Sequence, residues 1–407
     1  MPSEPKKNLH NKMQITVVGQ GYVGLPLAIA ASNVGYTVYG LDNNKGKIKS
    51  LCDGKSIIED LSNVEIKNSI DSKRYIPTIN QDVILDSHVI LICVPTPLSS
   101  DHKPDLTVLI GATTTVGKNL KAGTLVIVES TIEPGTCRNI LLPILVKESG
   151  LEGREFEFVY SPERIDPTNK IWNLKNTPKI LAGLTDKAGV RAVDFYSKFI
   201  DNVIVVDSIE VAETAKLLEN SFRLVNISFI NEVSMFCQKL GIDINAVISA
   251  AATKPYGFMP FYPSLGVGGH CIPVDPLYLA SKAHKIGAPT RFIDLADQVN
   301  QEMPDYFVAK AEDKLGGLKS KKVLVIGVSY KPNVADVRET PVQALIDGLN
   351  KKGAQVSWHD DLVKEWNGKK SVALSDSFDL AILATLHDYL DLNALGETPI
   401  LNTRGSL

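Results

Sequence analysis

The apolar and polar positions along the chain predict alternating strands and helices. Residues 13–44, MQITVVGQGYVGLPLAIAASNVGYTVYGLDNN, have the pattern of a strand, a glycine turn, a helix and a second strand. The first strand is a short continuous apolar run, which is typical of a strand buried on both faces. Further apolar runs of strand length lie at 88–95, 124–130, 156–162 and 203–207. Helical stretches separate several of them, and this alternation predicts a parallel sheet covered by helices.

The pattern changes after residue 207. Residues 208–241 form one long helical pattern without proline or internal glycine, and apolar side chains cover much of its surface. Such a helix favours a spine between two domains and a dimer contact. From residue 316 to residue 407, strand and helix patterns alternate again. We therefore predict an α/β fold of two Rossmann-like parallel-sheet domains joined by a long central helix.

Composition narrows the classes of partner and compartment. The 407 residues carry a net charge of −3 and have no basic block beyond the first residues, which argues against a nucleic-acid partner. No apolar run approaches the ~18–20 residues that span a bilayer, so we expect no membrane insertion. The five cysteines show no C-x-x-C spacing, so we expect no metal, and the reducing cytoplasm is the expected compartment.

A G-x-G-x-x-G motif, Gly19 to Gly24, follows the first predicted strand directly. Its glycines permit a tight turn, close approach of a pyrophosphate and close helix packing. Asp42 ends the second strand, where a carboxylate binds a ribose diol and repels a 2′-phosphate, which selects NAD over NADP. The alternative is a glycine turn needed only for packing. The residues that we expect to contact NAD are Gly19, Gln20, Gly21, Tyr22, Val23, Gly24, Asp42, Lys47, Thr96, Ser130 and Thr131.

Three of these residues follow later strands. Thr96 lies in VPTP (94–97), and Ser130 and Thr131 lie in ESTIEPGTCR (129–138). Ligands of open α/β sheets bind outside the carboxyl ends of the strands, so these side chains are candidates for cofactor or substrate contacts. Taken alone, each is more often a turn or cap residue.

Charged residues supply candidate acid–base and anion-binding groups. In YSPERIDP (160–167), Glu163 suits a general base and Arg164 an anion clamp, and the alternative is a surface ion pair. Lys216 and Asn220 lie four residues apart in a helical pattern, hence on one face. Together they suit the binding of a developing oxyanion, and the alternative is a solvated lysine.

The segment YKPNVADVRETP (330–341) places Lys331 and Arg338 after the first strand of the last domain. This is again the ligand-binding edge of a parallel sheet, and the two cations suit a nucleotide phosphate or base. The segment lacks a G-x-G-x-x-G motif, so we do not expect a second dinucleotide there.

The stretch SLGVGGHCIPVDP (264–276) surrounds one cysteine with glycines. Gly266, Gly268 and Gly269 let the backbone pass near a bulky ligand. Cys271 suits a nucleophile, although a free cysteine is commonly a small buried apolar residue. Asp275 follows at the fourth position, which is compatible with the same face if the segment turns helical.

The ordered set of motifs resembles the UDP-glucose/GDP-mannose dehydrogenase family. The matching stretches are GQGYVGLPLA, VPTP, ESTIEPGT, SPER, ETAKLLEN, GVGGHCIPVDP and YKPNVADVRE, and the resemblance extends from about Met13 to the NTRG of 402–405. SPERI and GGHCIPVDP are similar to the branch that acts on UDP-N-acetylhexosamines. Within that branch, the resemblance is closest to enzymes acting on UDP-N-acetylglucosamine.

The resemblance implies a domain organisation. It comprises an NAD-binding domain (13–207), a central helical and dimerisation domain with the catalytic loop (208–315), and a UDP-binding domain (316–407). The polar residues before them predict a disordered leader (1–12). It also implies a homodimer through the central helix, and a product that feeds surface polysaccharide synthesis.

The family's chemistry is a four-electron oxidation of the sugar C6 alcohol to a carboxylate with two NAD. The resemblance implies that Cys271 forms a thiohemiacetal and then a thioester, and that Lys216 and Asn220 stabilise the oxyanion. Asp275 would hold Lys216 or a water, and Glu163 or Thr131 would position water for hydrolysis. The residues implied to bind the substrate are Glu163, Arg164, Lys216, Asn220, Tyr262, Gly269, Lys331 and Arg338, with a less defined role for Arg404.

One departure from the family pattern affects substrate choice. Pro263-Ser264-Leu265-Gly266 replaces the Pro-Gly-Pro-Gly that is common before the cysteine loop. The open alternatives are UDP-GalNAc, UDP-ManNAc or UDP-glucose as substrate, a two-electron hydroxyacid dehydrogenase, and a nucleotide-sugar sensor without turnover. The hydroxyacid dehydrogenase would leave the cysteine loop unexplained, and the four intact catalytic positions argue against the sensor.

Overall fold

The computed structural model describes residues 13–166, 169 and 171–405. The chain divides after Leu217 into two compact units. The predicted leader, 1–12, lies outside the described residues. The predicted four-part division is finer than these two units and stays a prediction.

The first unit contains a sheet of eight strands in the order β3-β2-β1-β4-β5-β6-β7-β8. Six strands, β1 to β6, run parallel, which confirms the parallel sheet expected from the sequence. The seventh runs antiparallel to β6, a pairing that the sequence analysis did not anticipate. The strands are β1 (Gln14–Val18), β2 (Thr37–Leu41), β3 (Tyr75–Thr78), β4 (Val89–Ile92), β5 (Leu125–Val128), β6 (Glu157–Tyr160), β7 (Lys179–Gly183) and β8 (Val203–Val205).

Helices cover both faces of this sheet because its central strands are apolar at successive positions. In β4, Val89 and Leu91 join one buried cluster, whereas Ile90 and Ile92 join another. Successive strand side chains point to opposite faces, so one VILI run contributes to two cores. The helices of this unit are α1 (Gly24–Asn33), α2 (Lys45–Cys52), α3 (Asn63–Asp71), α4 (Thr107–Lys118), α5 (Leu142–Ser149) and α6 (Asp186–Tyr196).

The long helix predicted from the sequence is present as α7 (Ile209–Lys239), and it continues from the first unit into the second. The second unit adds a four-stranded parallel sheet in the order β10-β9-β13-β14 and a two-stranded antiparallel ribbon, β11-β12. These strands are β9 (Lys322–Ile326), β10 (Gln355–His359), β11 (Glu365–Trp366), β12 (Lys369–Lys370), β13 (Leu380–Leu383) and β14 (Ile400–Asn402). The remaining helices are α8 (Ile244–Ala252), α9 (Asp275–Lys285), α10 (Arg291–Leu315) and α11 (Val342–Lys351).

The two sheets share one backbone arrangement after their first strand. In the second unit, Gly327 donates its N–H to the His359 carbonyl at 2.8 Å, and Val328 donates to the Asp360 carboxylate at 2.9 Å. The Asp360 carboxylate is also 3.2 Å from the His387 ring. Burial opposes ionisation of Asp360, but the hydrogen bonds from His387 and from backbone N–H groups prevail and lower its pKa to about 2. This carboxylate is therefore committed to interactions inside the domain.

The described residues contain no helix that is both long and apolar enough to cross a membrane. They also contain no group of three or more His, Cys, Asp and Glu side chains placed to hold a metal ion.

Candidate active site

The glycine turn of the first unit has the geometry that its sequence predicts. Gly19 has a φ of +94° and donates its N–H to the Leu41 carbonyl at 2.8 Å. A Cβ on Gly24 would lie 1.9 Å from the Gly19 carbonyl oxygen, so only glycine permits this close helix packing. By contrast, a Cβ on Gly21 would meet no atom within 4 Å. Packing within the chain does not require Gly21, and the approach of a pyrophosphate is the reason that fits the motif.

Asp42 follows β2 and lies at the edge of this turn. Its carboxylate accepts N–H groups from Gln20 and Asn44, each at 2.9 Å. Lys47 of α2 places its Nζ 3.6 Å from the same carboxylate. Backbone donors thus fix the orientation of a carboxylate that suits a ribose diol.

Two other residues of the motif have structural partners. The Gln20 side chain is buried, donating to the Val17 carbonyl at 2.8 Å and accepting from the Tyr75 hydroxyl at 2.7 Å. Its contribution to a cofactor is therefore limited to its backbone. The Tyr22 hydroxyl donates to Glu59 at 2.8 Å, and Val23 is the residue that precedes α1.

The segment after β5 is held by a glutamate that the sequence analysis did not single out. Ser130 donates to the Val94 carbonyl at 2.7 Å, so it ties this segment to the one that carries Thr96. Glu213 of α7 is fully buried and accepts the N–H groups of Gly135 and Cys137, at 2.5 Å and 2.9 Å. Burial outweighs these hydrogen bonds and raises the pKa of Glu213. Glu213 therefore fixes the loop that begins at Thr131.

Glu163 lies after β6 in a buried group of charges. One of its oxygens accepts the N–H groups of Arg164 and Ile165, at 2.6 Å and 2.8 Å. The Arg164 guanidinium donates to the Pro178 carbonyl at 3.1 Å, so it packs against its own domain. Lys179, at the start of β7, places Nζ 3.5 Å from the other Glu163 oxygen. Glu163, which the sequence predicts to be a general base, is therefore buried and is oriented by hydrogen bonds from backbone N–H groups.

Helix α7 carries both Lys216 and Asn220, as the spacing predicts. Lys216 is buried rather than solvated, which removes the alternative of an ordinary surface lysine. Asn220 donates its side-chain N–H to Asp275 at 2.7 Å. Asp275, which was expected to hold Lys216 or a water, therefore has Asn220 as a direct partner.

Cys271 is exposed in a turn that leads into α9. Its carbonyl accepts the N–H groups of Val274 and Asp275, at 3.2 Å and 2.8 Å, and α9 begins at Asp275. The segment therefore does turn helical, and the thiol does not behave as a small core residue. Burial, together with the nearby Arg338, lowers the pKa of the neighbouring His270, which favours its neutral form at pH 7.

Three contacts anchor the cysteine loop within its own unit. Ser264 donates its N–H to Asn231 at 2.8 Å, and Val267 donates to Asn300 at 2.7 Å. Further along, Gly269 donates its N–H to the Arg338 carbonyl at 3.0 Å. The sequence analysis named neither asparagine, since an isolated Asn inside a long helix gives no distinctive signal.

The glycines of this loop are required by the protein itself. A Cβ on Gly268 would lie 2.6 Å from the Glu339 carbonyl oxygen, and one on Gly269 would lie 2.7 Å from the Tyr330 ring. Close packing against residues 330–339 accounts for two of these glycines, and room for a ligand stays a prediction. Leu265, one of the departures from the family pattern, is buried in the core with Met303 and Val328.

The remaining predicted substrate residues are dispersed over the second unit. Arg338 makes a forked ion pair with Asp336, with contacts from 2.5 to 3.0 Å, so a nucleotide would have to compete with this carboxylate. Lys331 is half-buried, and Tyr262 is exposed. Arg404 follows β14 and is exposed, and partial desolvation of its guanidinium lowers its pKa.

Comparison with known proteins identifies the family. The NAD-binding domain of the UDP-glucose/GDP-mannose dehydrogenase family matches residues 13–200, its central domain matches 210–302, and its UDP-binding domain matches 324–398. The chain belongs to this family. It is an NAD-dependent UDP-sugar dehydrogenase, and the expectations of an NAD cofactor and a UDP-sugar substrate are confirmed at this level.

The relatives differ in their sugar. A UDP-N-acetyl-D-glucosamine 6-dehydrogenase of Pseudomonas aeruginosa is 36% identical over 92% of this chain and 90% of its own length. A UDP-N-acetyl-D-mannosamine dehydrogenase of Methanococcus aeolicus is 33% identical over 87% of this chain and 79% of its own. The solved structure of a UDP-D-ManNAc dehydrogenase from Pyrococcus horikoshii has a TM-score of 0.88 at 30% identity and covers 96% of this chain and 95% of that one.

Replacing Asp42 tests the basis of cofactor choice. Asp42→Asn removes the charge that would bind the ribose diol and repel a 2′-phosphate, while the amide oxygen can still accept one of the two backbone N–H groups. We expect NAD to bind about tenfold more weakly and the preference for NAD over NADP to shrink. Calorimetric titration with both cofactors measures this, with Asp53→Asn, an exposed carboxylate after α2, as the control. An unchanged NAD/NADP ratio would contradict this role.

Proposed function

We propose that this enzyme oxidises the C6 alcohol of a UDP-N-acetylhexosamine, with UDP-GlcNAc as the principal substrate, to the uronic acid. The observation that carries the proposal is the exposed thiol of Cys271, four residues before the aspartate that binds Asn220. A dehydrogenase that stopped at the aldehyde would need no such thiol. The use of the product in surface polysaccharide synthesis stays a prediction.

The thiol allows a second oxidation of the same carbon. When bound, NAD would supply the hydride acceptor, with one NAD molecule for each of the two oxidation steps. Cys271 adds to the C6 aldehyde and forms a C–S bond, and the resulting thiohemiacetal carbon still carries a hydrogen that leaves as hydride. Water then attacks the thioester, the C–S bond breaks, and the carboxylate departs with the thiol restored.

Other residues stabilise charge and position water in this proposal. Lys216 and the Asn220 amide stabilise the developing oxyanion, and Asp275 orients the amide through their 2.7 Å hydrogen bond. Glu163 or Thr131 positions the hydrolytic water. The buried setting of Lys216 strengthens its attraction for an oxyanion because the local dielectric constant is low.

Support for UDP-GlcNAc comes from the relatives. Two UDP-N-acetyl-D-glucosamine 6-dehydrogenases are 36% and 34% identical to this chain, against 31% to 33% for five UDP-N-acetyl-D-mannosamine dehydrogenases. The difference is small, so the sugar must be tested directly. Leu265, which departs from the family's Pro-Gly-Pro-Gly pattern, is buried, so core packing is the simplest explanation for this residue.

A panel of UDP-sugars tests the substrate. With saturating NAD, we expect kcat/KM for UDP-GlcNAc to exceed that for UDP-ManNAc, UDP-GalNAc and UDP-glucose by at least about tenfold, since a misplaced polar group costs about 1.4 kcal/mol or more. NADH absorbance measures the rates, and mass spectrometry identifies each product. A preference for UDP-ManNAc would overturn the choice of sugar without affecting the class of reaction.

Replacing Cys271 tests the nucleophile. Cys271→Ser replaces the sulfur with a smaller, far less nucleophilic hydroxyl oxygen, so we expect uronate formation to fall by roughly a thousandfold or more, because the covalent route is lost. Cys52→Ser, an exposed cysteine in the first unit, serves as the matched control. Full uronate production by the Cys271 variant would exclude covalent catalysis by this residue.

The homodimer expected through α7 is also part of the proposal. Exposed apolar residues recur along this helix at intervals of four and seven, which places them on one face. This apolar stripe consists of Leu218, Phe222, Phe229 and Phe236 of α7 and of Leu240, the residue directly after the helix. A second copy of the chain suits it, because a helix can bury such a stripe against the equivalent helix of its partner.

A charge in the stripe tests the dimer. Phe229 is 60% exposed at the centre of the stripe, so Phe229→Glu leaves the fold intact but buries a carboxylate in the proposed interface. We expect a monomer by size-exclusion chromatography with light scattering at micromolar concentration. Arg223→Glu, on another face of the helix, should remain dimeric. A Phe229 variant that associates like the wild type would contradict this interface.

A further inference from the structure

Three charged side chains of the first unit are buried together at the ends of adjacent strands. Glu129 follows β5, Glu163 follows β6, and Lys179 begins β7. Their exposed fractions are 1%, 9% and 5%. Buried charges are costly unless they are paired, so this group requires an explanation beyond the fold itself.

Lys179 is shared unequally between the two carboxylates. Its Nζ lies 2.7 Å from Glu129 and 3.5 Å from Glu163. The other oxygen of Glu129 accepts a hydrogen bond from the Tyr196 hydroxyl, and the ammonium lies 5.1 Å from the centre of the Tyr196 ring. Glu129 is thus satisfied at both oxygens, whereas Glu163 holds a weaker share of the cation.

Glu163 retains one oxygen for further interactions. Its first oxygen accepts two backbone N–H groups, as described above. Within the described residues, its second oxygen is buried without a hydrogen-bond partner, as is the Thr177 hydroxyl. Both residues line a cavity of ≈ 10 Å³, which has room for about one water molecule.

The charges facing Glu163 set its electrostatic environment. Burial raises the pKa of Glu129, and for Lys179 the two carboxylates outweigh burial and raise its pKa. Burial and the nearby Glu129 raise the pKa of the Cys93 thiol, which follows β4, so this thiol is neutral at pH 7. Arg164, the other nearby cation, donates to the Pro178 carbonyl. Lys179 therefore directly faces the second Glu163 oxygen, at 3.5 Å.

We propose that Lys179 is a positioning residue that orients the Glu163 carboxylate for thioester hydrolysis. Glu129 limits this effect because it binds Lys179 more closely than Glu163 does. This inference rests on the proposed function, in which Glu163 positions the hydrolytic water. Lys179 Nζ lies 3.5 Å from the second Glu163 oxygen, so the cation attracts this carboxylate while the oxygen stays available to water. With a closer cation, the same oxygen would be a weaker base.

Two variants should shift the pH dependence of uronate release in opposite directions. In Glu129→Gln, the cation is no longer bound by Glu129 and can approach the second Glu163 oxygen. In Glu129→Gln/Lys179→Met, both charges are lost and Glu163 loses its nearest cation. The quantity compared is the acidic limb of the pH–rate profile for uronate release. We expect this limb to lie about one pH unit lower in the first variant and about one pH unit higher in the second.

Uronate release is measured by single-turnover quenching with UDP-GlcNAc and NAD, separately from the first hydride transfer. Lys179→Arg, which keeps the cation, should retain an acidic limb near that of the wild type. Glu152→Gln, an exposed carboxylate, is the charge-neutralising control. Lys179→Met alone is avoided because it would leave Glu129 buried without its cation. Thermal unfolding and NAD titration check that each variant is folded.

The outcomes separate this inference from the proposed function. If the acidic limb moves in the same direction in both variants, or in neither, while they fold and the wild type makes uronate, the role of Lys179 is refuted. If the wild type makes no uronate, or Glu163→Gln releases it at the wild-type rate, the proposed role of Glu163 fails first. Opposite shifts in the order given would support the inference, since a purely structural role predicts no change of sign.

Discussion

The hydrogen bond between Asn220 and Asp275 is the contact on which the proposed chemistry depends. Its length is 2.7 Å, and it joins α7 to the first residue of α9, four residues after the nucleophile. A hydrogen bond to a charged group contributes about 1.5–3 kcal/mol. It therefore fixes the thiol-bearing turn relative to the amide that would stabilise the oxyanion. The anchors at Asn231 and Asn300 restrain the same loop further upstream.

The parallel sheet of the first unit imposes a second constraint. The segments that follow its parallel strands lie at one edge. Gly19, Thr96, Thr131 and Glu163 accordingly all lie shortly after strand ends. In the second unit the same backbone arrangement exists, but Asp360 is used internally with His387. One local geometry therefore places Asp42, the carboxylate predicted to bind the cofactor, in one sheet and a structural carboxylate in the other.

Local features of this protein were predictable from its sequence. The turn from Gly19 to Asp42 depends on glycine conformation and on strand ends, and neighbouring residues in the sequence determine both. The length of α7 follows from its unbroken helical periodicity. The antiparallel strand β7 was missed, because its pairing with β6 depends on contacts that sequence periodicity does not encode.

Long-range side-chain partners were not predictable for the same reason. Lys179 meets Glu129 from 50 residues away along the chain, and neither has a distinctive local motif. The glycines of the cysteine loop were recognised, but their contacts with Tyr330 and Glu339 became evident only in the fold. The burial of Leu265 likewise depends on helix α10 and strand β9 meeting in space.

The central claim is that Cys271 binds the C6 aldehyde covalently, so that the same carbon is oxidised a second time before the aldehyde is released. The most direct measurement is the number of NADH molecules formed per UDP-sugar consumed when the reaction has gone to completion. The account predicts two NADH and a uronic acid as the sole sugar product. One NADH with an accumulated aldehyde or ketone would contradict it.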